Sequence, residues 1–386
     1  MDYKMVKLGT VISQAKNIRC GEHNYPVFSM TMHDGLIFQD DKFKKVIASA
    51  NRSEYKVVYR NQLVVSFPID EGVLAAQRIT DVGIVSPAYT IWDIDQAKIL
   101  PEFLEYALRC DRSINYYKAK LRGSTARRRS LPTPTLLEHT IPLPAIDAQR
   151  YILEIIHKSR NVLETRKIQL QKLDMLVRAR FVEMFGDPNI NSKKWNECPL
   201  SKKLNVLGGY AFKSDQFDEK GGIPVLRIGN INAGYFKPVN MVYWQKDESL
   251  ERYVMYPGDL VMSLTGTVGK DDYGNVCILD DDYEMYYLNQ RNAKLEIKEG
   301  IDKYYLSQLL KFEQIKKRLT GISRGVRQAN ISNKDILNLV VPIPPLELQN
   351  QFADFVKHVD KSKDSVQKAL DEAQLLFDSL MQQYFG

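Results

Sequence analysis

A chain of 386 residues, 44% hydrophobic and 26% charged, is long enough for two or three globular domains and has an ordinary soluble composition. No run approaches the roughly 18 consecutive apolar residues of a membrane helix, and the opening MDYKMVKLGT has no apolar leader, so neither a membrane partner nor export is expected. A net charge of +7 favours a polyanionic partner, and four scattered cysteines without a C-x-x-C pair argue against zinc sites and disulfides and for a reducing cytoplasm.

Along the first half, short β-branched runs such as YPVFSM (25–30) and NQLVVSF (61–67), punctuated by Gly, Asn and Asp, read as small strands and turns. A helix is expected over about 101–121. Arg112, Lys118, Lys120, Arg122, Arg127, Arg128 and Arg129 follow one another there without an acidic residue. Such a local field suits nucleic acid, the alternative being a solvated basic face. IPLPAIDAQ (141–149) then forms an extended exit, because Pro-X-Pro removes backbone donors and fixes φ. A long stretch free of Pro and Gly follows and closes on Phe185-Gly186.

The second half repeats this plan. IPVLRI (223–228) resembles YPVFSM, GDLVMSL (258–264) resembles NQLVVSF, a helix is expected over about 302–319, and VPIPPLELQ (341–349) leads into a stretch ending Phe385-Gly386. Sliding the chain by 200 positions aligns 139–186 with 339–386 without a gap, matching Pro142 with Pro342, Pro144 with Pro344, Gln149 with Gln349, Leu176 with Leu376 and Phe185 with Phe385.

Both stretches carry a seam with alternating steps of four and three. The first runs Ile152, Ile156, Ser159, Leu163, Arg166, Leu170, Leu173, Val177, and the second Phe352, Val356, Val359, Lys363, Val366, Leu370, Ala373, Phe377. That spacing predicts a coiled coil. Basic residues predominate over 149–185 and acidic ones over 349–385, which favours pairing of the two helices with each other. Arg166 and Lys363 interrupt the seam and are expected to fix its register.

The ordered IPLP exit, the long helix ending RARFVEMFGDP, and a second copy ending LMQQYFG resemble the specificity subunit of type I restriction–modification systems over essentially the whole chain. The resemblance implies an α+β fold: two globular target recognition domains separated by two long antiparallel helices forming a coiled coil, as a pseudo-twofold internal repeat. The expected division is recognition domain 1 (1–145), central helix (146–186), recognition domain 2 (187–344) and C-terminal helix (345–386). It also implies double-stranded DNA read as a bipartite target, docking of two DNA methyltransferase subunits, and restriction subunits assembled around that core. One departure stands out: the first domain has SFPIDEG (66–72) where the second has MSLTGTVG (262–269).

Catalytic chemistry is not found in the sequence. There is no NPPY or DPPY, GTVGK (266–270) lacks the leading Gly of a phosphate loop, and EIK (296–298) has no suitable preceding Pro-Asp. Asp280, Asp281 and Asp282 read as a turn after a strand. No cofactor is expected, and the chain is read as non-catalytic.

Base reading falls mainly to Arg, Lys, Asn and Gln, with phosphate contacts supplying affinity. The candidates in the first domain are Ser124, Thr125, Arg127, Arg128 and Arg129. In the second they are Lys213, Arg227, Asn230, Asn232, Thr265, Thr267, Lys270, Arg291, Arg324, Arg327, Gln328 and Asn330. Ile155, Val162, Ile168 and Met175 sit off the seam and offer apolar surface to partner helices. The alternative is a stand-alone bipartite DNA-binding or scaffold protein without enzyme partners, which would keep that outer face polar.

Overall fold

The computed structural model describes residues 3–32, 34–42, 52–121, 131–267, 272–321 and 328–386. The chain divides into two compact units, Met1–Lys167 with Lys368–Gly386, and Ile168–Gln367.

Unit 1 opens with β1 (Met5–Lys7), β2 (Ile12–Gln14), the hairpin β3 (Phe28–Thr31) and β4 (Gly35–Phe38), and a single turn α1 (Gln39–Lys42). It continues through β5 (Lys56–Tyr59), β6 (Leu63–Val65), β7 (Leu74–Ala76), β8 (Val82–Val85) and β9 (Thr90–Ile94). The helices α2 (Pro101–Arg109), α3 (Asp111–Lys120) and α4 (Thr133–Glu138), the strand β10 (Thr140–Pro142) and the start of α5 (Ile146–Phe185) follow.

Unit 2 holds β11 (Glu197–Pro199), β12 (Leu204–Gly208), β13 (Ile223–Leu226), β14 (Val242–Trp244), β15 (Val254–Met255), β16 (Leu260–Ser263) and β17 (Thr265–Thr267). After these come β18 (Val276–Ile278), β19 (Tyr286–Leu288) and β20 (Asn292–Ile297). The unit then runs through α6 (Lys303–Leu310), α7 (Glu313–Thr320), β21 (Gln328–Asn330), α8 (Asn333–Asn338) and β22 (Val340–Pro342), with α9 (Leu346–Phe385) last.

The duplication read from the sequence is a duplication of topology. Unit 1 builds an antiparallel sheet in the order β2-β9-β6-β7, and unit 2 builds β12-β20-β16-β18. The LVV of β6 and the LVMS of β16 are fully buried in the same third position, as apolar β-branched runs covered on both faces should be. YPVFSM and IPVLRI also correspond: Val27 bridges Ile84 in parallel, as Val225 of β13 pairs in parallel with Tyr287 of β19. Each unit closes with a two-stranded antiparallel pair, β1 with β10 and β11 with β22, formed just before its long helix.

Both long helices run for 40 residues. In unit 1, Ile152 and Ile156 near the start of α5 share a core with Phe377, Leu380, Met381 and Phe385 near the end of α9. In unit 2, Val177, Phe181 and Phe185 at the end of α5 share a core with Phe352, Val356 and Val359 at the start of α9. The helices therefore pair antiparallel, and every seam residue is buried or half-buried. Lys363 reaches Asp174 across the pair at 2.8 Å and Asp360 on its own helix at 3.3 Å, the register-fixing use of a polar seam position. The end of α5 is closed by Gly186 at φ +80°, by Lys193 Nζ donating to the carbonyls of Glu183 and Met184, and by Trp195 Nε1 donating to Phe185.

The single helices expected over 101–121 and 302–319 are each two helices. In unit 1 the break is Cys110, whose ψ of 159° is extended; in unit 2 it is Lys311-Phe312. The reason is packing. After the break Tyr117 folds back into the core, and its hydroxyl donates to the carbonyl of Leu108, which a straight helix would carry out of reach.

Gln149 and Gln349, matched in the sequence, perform the same task in each unit. Gln149 Oε1 accepts the Leu100 N–H at 2.8 Å, while Nε2 donates to the carbonyls of Pro144 and Lys98. Gln349 Oε1 accepts the Asp302 N–H at 2.8 Å and Nε2 donates to Pro344 at 2.7 Å. Each amide pins the Pro-X-Pro exit to the start of the neighbouring helix, and both residues are fully buried. Gln349→Leu strands a buried N–H and a buried carbonyl, so denaturant unfolding should report a loss of about 1–3 kcal/mol.

His139 is buried between Tyr116 and Tyr117, 2.7 Å from Ser113 Oγ. Ser113 donates its own proton to the Ala107 carbonyl, so His139 Nε2–H is the donor of the pair. Burial, with the Arg112 charge adding, lowers the His139 pKa to about 4. The unfolded chain then binds the proton more readily, and the contribution of this residue falls as pH drops from about 6.5 toward 4. A His139→Gln variant should show a flatter stability profile over that window, read by thermal melts at stepped pH.

Candidate nucleic-acid interface

In unit 2 the strand register brings many of the candidate residues to one edge. The end of β16 pairs with the start of β20, Ser263 opposite Asn292, and the end of β12 lies beside the same place, Gly208 opposite Ala293. The end of β13 pairs with the end of β19, Leu226 beside Leu288. Asn292 Nδ2 donates to the Leu226 carbonyl at 2.7 Å and ties the two sheets together at this edge. Arg227, the Asn289–Arg291 turn and the segment after Ser263 therefore leave the core at one place.

From there the chain builds a small ribbon. Leu264 is buried, and its N–H donates to the Arg291 carbonyl while its own carbonyl accepts from Ile331. β17 then pairs antiparallel with β21, setting Thr265 opposite Asn330 and Thr267 opposite Gln328. Gly266 is required at the centre, because a Cβ there would lie 2.3 Å from Asp272 Oδ1 and 2.8 Å from Tyr273 Cβ. Asp272 Oδ1 accepts the Thr267 N–H at 2.8 Å, and Tyr273 anchors to the Thr320 carbonyl at the end of α7. Thr267 and Asn330 are exposed, whereas Thr265 Oγ1 is buried without a hydrogen-bond partner among the described residues. Two candidate segments far apart in sequence, TGT and QAN, thus form the two strands of one ribbon.

The remaining candidates divide. Arg291 is exposed, and Arg227 is half-buried with its guanidinium donating to the Asn240 carbonyl. Lys213 is exposed at the head of a 3-10 turn, three residues beyond Tyr210, whose N–H donates to Leu288. Asn230 is buried: its Oδ1 accepts the Arg227 N–H, and its Nδ2 donates to the carbonyls of Lys237 and Val239. Its amide is thus occupied in shaping the loop. Asn232 is half-buried, and its Oδ1 has no partner among the described residues. Ser124, Thr125, Arg127, Arg128, Arg129, Lys270, Arg324 and Arg327 lie outside the described residues, as does the side chain of Gln328.

Sequence reasoning passed over two exposed aromatics of unit 2. Tyr210 sits at this edge, its carbonyl accepting from Gln290, and Tyr235 carries Lys237 over its ring at 6.0 Å. The legible signal was an aromatic interleaved with cations and glycines, as in GGYAFK and AGYFK.

Of the four off-seam residues, Val162, Ile168 and Met175 are 45%, 48% and 68% exposed, while Ile155 packs against the core of unit 1. Exposed Tyr151, Leu176 and Val182 on α5, and Leu375 and Leu376 on α9, add to the apolar surface of the long helices. Among the described residues no helix is long and apolar enough to cross a membrane.

A duplicated α+β unit, each copy closed by half of an antiparallel helix pair, defines a two-unit scaffold. Residues 192–374 match the family described as the type I restriction modification DNA specificity domain. The type I restriction enzyme MjaVIII specificity subunit of Methanocaldococcus jannaschii is 28% identical over 259 residues, 59% of this chain and 59% of that protein. The EcoBI specificity subunit of Escherichia coli is 28% identical over 46% of this chain and 35% of its own length. The first of these matches thus spans about three fifths of the relative. Among solved structures, the S subunit of a type I restriction–modification system from M. genitalium superposes with a TM-score of 0.57 at 16% identity, covering 100% of this chain and 96% of that one. A chain from a study of assembly and conformational transition of a type I R-M system gives 0.56 at 17% identity, covering 99% and 97%. The second half of the chain thus resembles type I specificity domains in sequence, and the whole chain shares the fold of the solved S subunit.

Proposed function

We propose that this chain is the sequence-specific DNA-binding subunit of a type I restriction–modification enzyme, acting in the cytoplasm and carrying no catalysis of its own. Each globular domain reads one half of a bipartite double-stranded target, and the functional division follows 1–145, 146–186, 187–344 and 345–386. The observation that carries the reading is the doubled topology: one sheet order, one exit and one helix, each present twice, in a chain whose residues 192–374 match the type I specificity domain.

In unit 2 the reading set is Thr265, Thr267, Arg291, Gln328 and Asn330, with Lys213, Arg227, Lys270, Arg324 and Arg327 supplying base or phosphate contacts around it. Asn230 and Asn232 shape the loop beside it. In unit 1 the set includes Ser124, Thr125, Arg127, Arg128 and Arg129. The exposed apolar residues Val162, Ile168 and Met175, with Leu176 and Leu375, support docking of methyltransferase helices over a stand-alone scaffold, whose outer face would be polar. Because the helices repeat, two methyltransferase subunits dock per chain, and the restriction subunits assemble on that core. Native mass measurement tests this. Two methyltransferase subunits per chain at saturation agree with the proposal, and a stable one-to-one complex contradicts it.

A further inference from the structure

The edge of unit 1 that corresponds to the ribbon edge of unit 2 is made of different chemistry. The two chains keep register up to the end of the central strand: Ser66 N–H donates to Val73 at 3.0 Å, as Ser263 N–H donates to Asn275 at 2.9 Å. The next residues, Phe67 and Leu264, are therefore equivalent. Leu264 is 6% exposed and belongs to the core, whereas Phe67 is 43% exposed. Beyond Leu264 the chain makes β17. Beyond Phe67 it turns through Pro68 into a 3-10 turn at Ile69–Glu71 that packs on α3. An apolar ring thus stands in the open where the sister unit places a buried side chain and a polar ribbon.

Two cations lie on the strand side of this ring, and Asp70 and Glu71 on the turn that follows it. Phe67 meets Tyr89 edge-on, centroids 5.9 Å apart, and Tyr89 immediately precedes β9. The Tyr89 carbonyl accepts from Lys56 Nζ at 2.6 Å. Lys56 in turn bridges Arg19 across the backbone. Arg19 is exposed, donates to the Glu54 carbonyl at 2.6 Å, and has the Glu54 carboxylate 3.9 Å from its Nε. Burial, and then the Arg19 charge, lower the Lys56 pKa, so two like charges are held side by side. An edge that holds Lys56 against Tyr89, the ring partner of an uncovered Phe67, with Arg19 bridged to Lys56, is complementary to a polyanion carrying apolar features.

We propose that Phe67 is the apolar base contact of unit 1 on duplex DNA, with Lys56 and Arg19 on the flanking phosphates. The inference rests on the reading of the chain as a bipartite DNA reader and specifies how its first half-site is met. Bases offer such a ring the thymine methyl in the major groove or an unstacked step in the minor groove.

The test is half-site-resolved binding by the assembled complex, using a DNA library randomised in each half separately. Phe67→Ala should lower affinity for the preferred first half-site about tenfold and flatten preference at one or two positions there. Phe67→Leu, which installs the residue of the sister unit, should retain part of that preference. Lys56→Ala should weaken all sequences alike and reduce the salt slope by about one. A melting profile like that of the wild type certifies that unit 1 is folded in each variant, since the second half-site is met by the other unit. Wild-type preference in Phe67→Ala, or equal weakening of all sequences by it, overturns the inference while leaving the bipartite reading intact. A wild-type complex that selects no bases overturns both.

Discussion

Replacing Phe181 with alanine should cost unit 2 about 3–5 kcal/mol and lower its melting temperature by about 10 °C or more. Phe181 is fully buried near the end of α5, with the rings of Phe185, Tyr305, Phe312 and Phe352 at centroid distances of 4.9, 5.3, 5.1 and 5.5 Å. These rings come from α5, α6, the α6–α7 break and α9, so the cavity would open where three helices meet. A neighbouring side chain cannot fill it without leaving its own contacts. Phe352→Ala should behave alike, and the double variant should lose less than the sum because the two rings share one site. A loss below about 1 kcal/mol would show that the helices are held to unit 2 by something other than this cluster.

The second large effect concerns recognition. Removing the polar side chains carried at three ribbon positions, with Thr267→Ala, Gln328→Ala and Asn330→Ala together, should abolish preference at one half of the target. A lost bidentate base contact is worth about 1–3 kcal/mol, so the combined loss should exceed tenfold for the preferred sequence. The backbone pairing of β17 with β21 does not depend on these side chains, and the buried anchors Gly266 and Tyr273 are untouched. Competition binding against DNA altered in either half would separate the outcomes. Equal weakening of specific and random DNA would assign the ribbon to backbone positioning.

Much of the architecture could be read from residues because the chain states it twice. The Pro-X-Pro exits can only be extended, and they fall at β10 and β22, immediately before α5 and α9. The four–three seam named the residues that are buried along both helices, including the Lys363 position that pairs with Asp174. Pairs such as NQLVVSF and GDLVMSL identified equivalent strands, since buried central strands tolerate little but β-branched and aliphatic residues.

What escaped the sequence depends on the third dimension. The break at Cys110 has no proline or glycine to announce it; Tyr117 folding back to Leu108 accounts for it. Asn230 has the composition of a base reader, but its amide is consumed by carbonyls seven and nine residues away. Gln149 and Gln349 were visible as a matched pair, yet their partners at Leu100 and Asp302 lie almost fifty residues upstream. Phe67 and Leu264 look interchangeable as letters. Only the path taken afterwards, a 3-10 turn in one unit and a ribbon strand in the other, leaves one ring exposed and buries the other side chain.

If one chain reads two separate blocks of bases, selection of binding sites from fully randomised duplex DNA by the assembled complex should return both. Two short blocks of preferred bases at a fixed separation are expected, with the ribbon variant erasing one block and leaving the other as it was. A single contiguous block, or one variant erasing both, would contradict that reading.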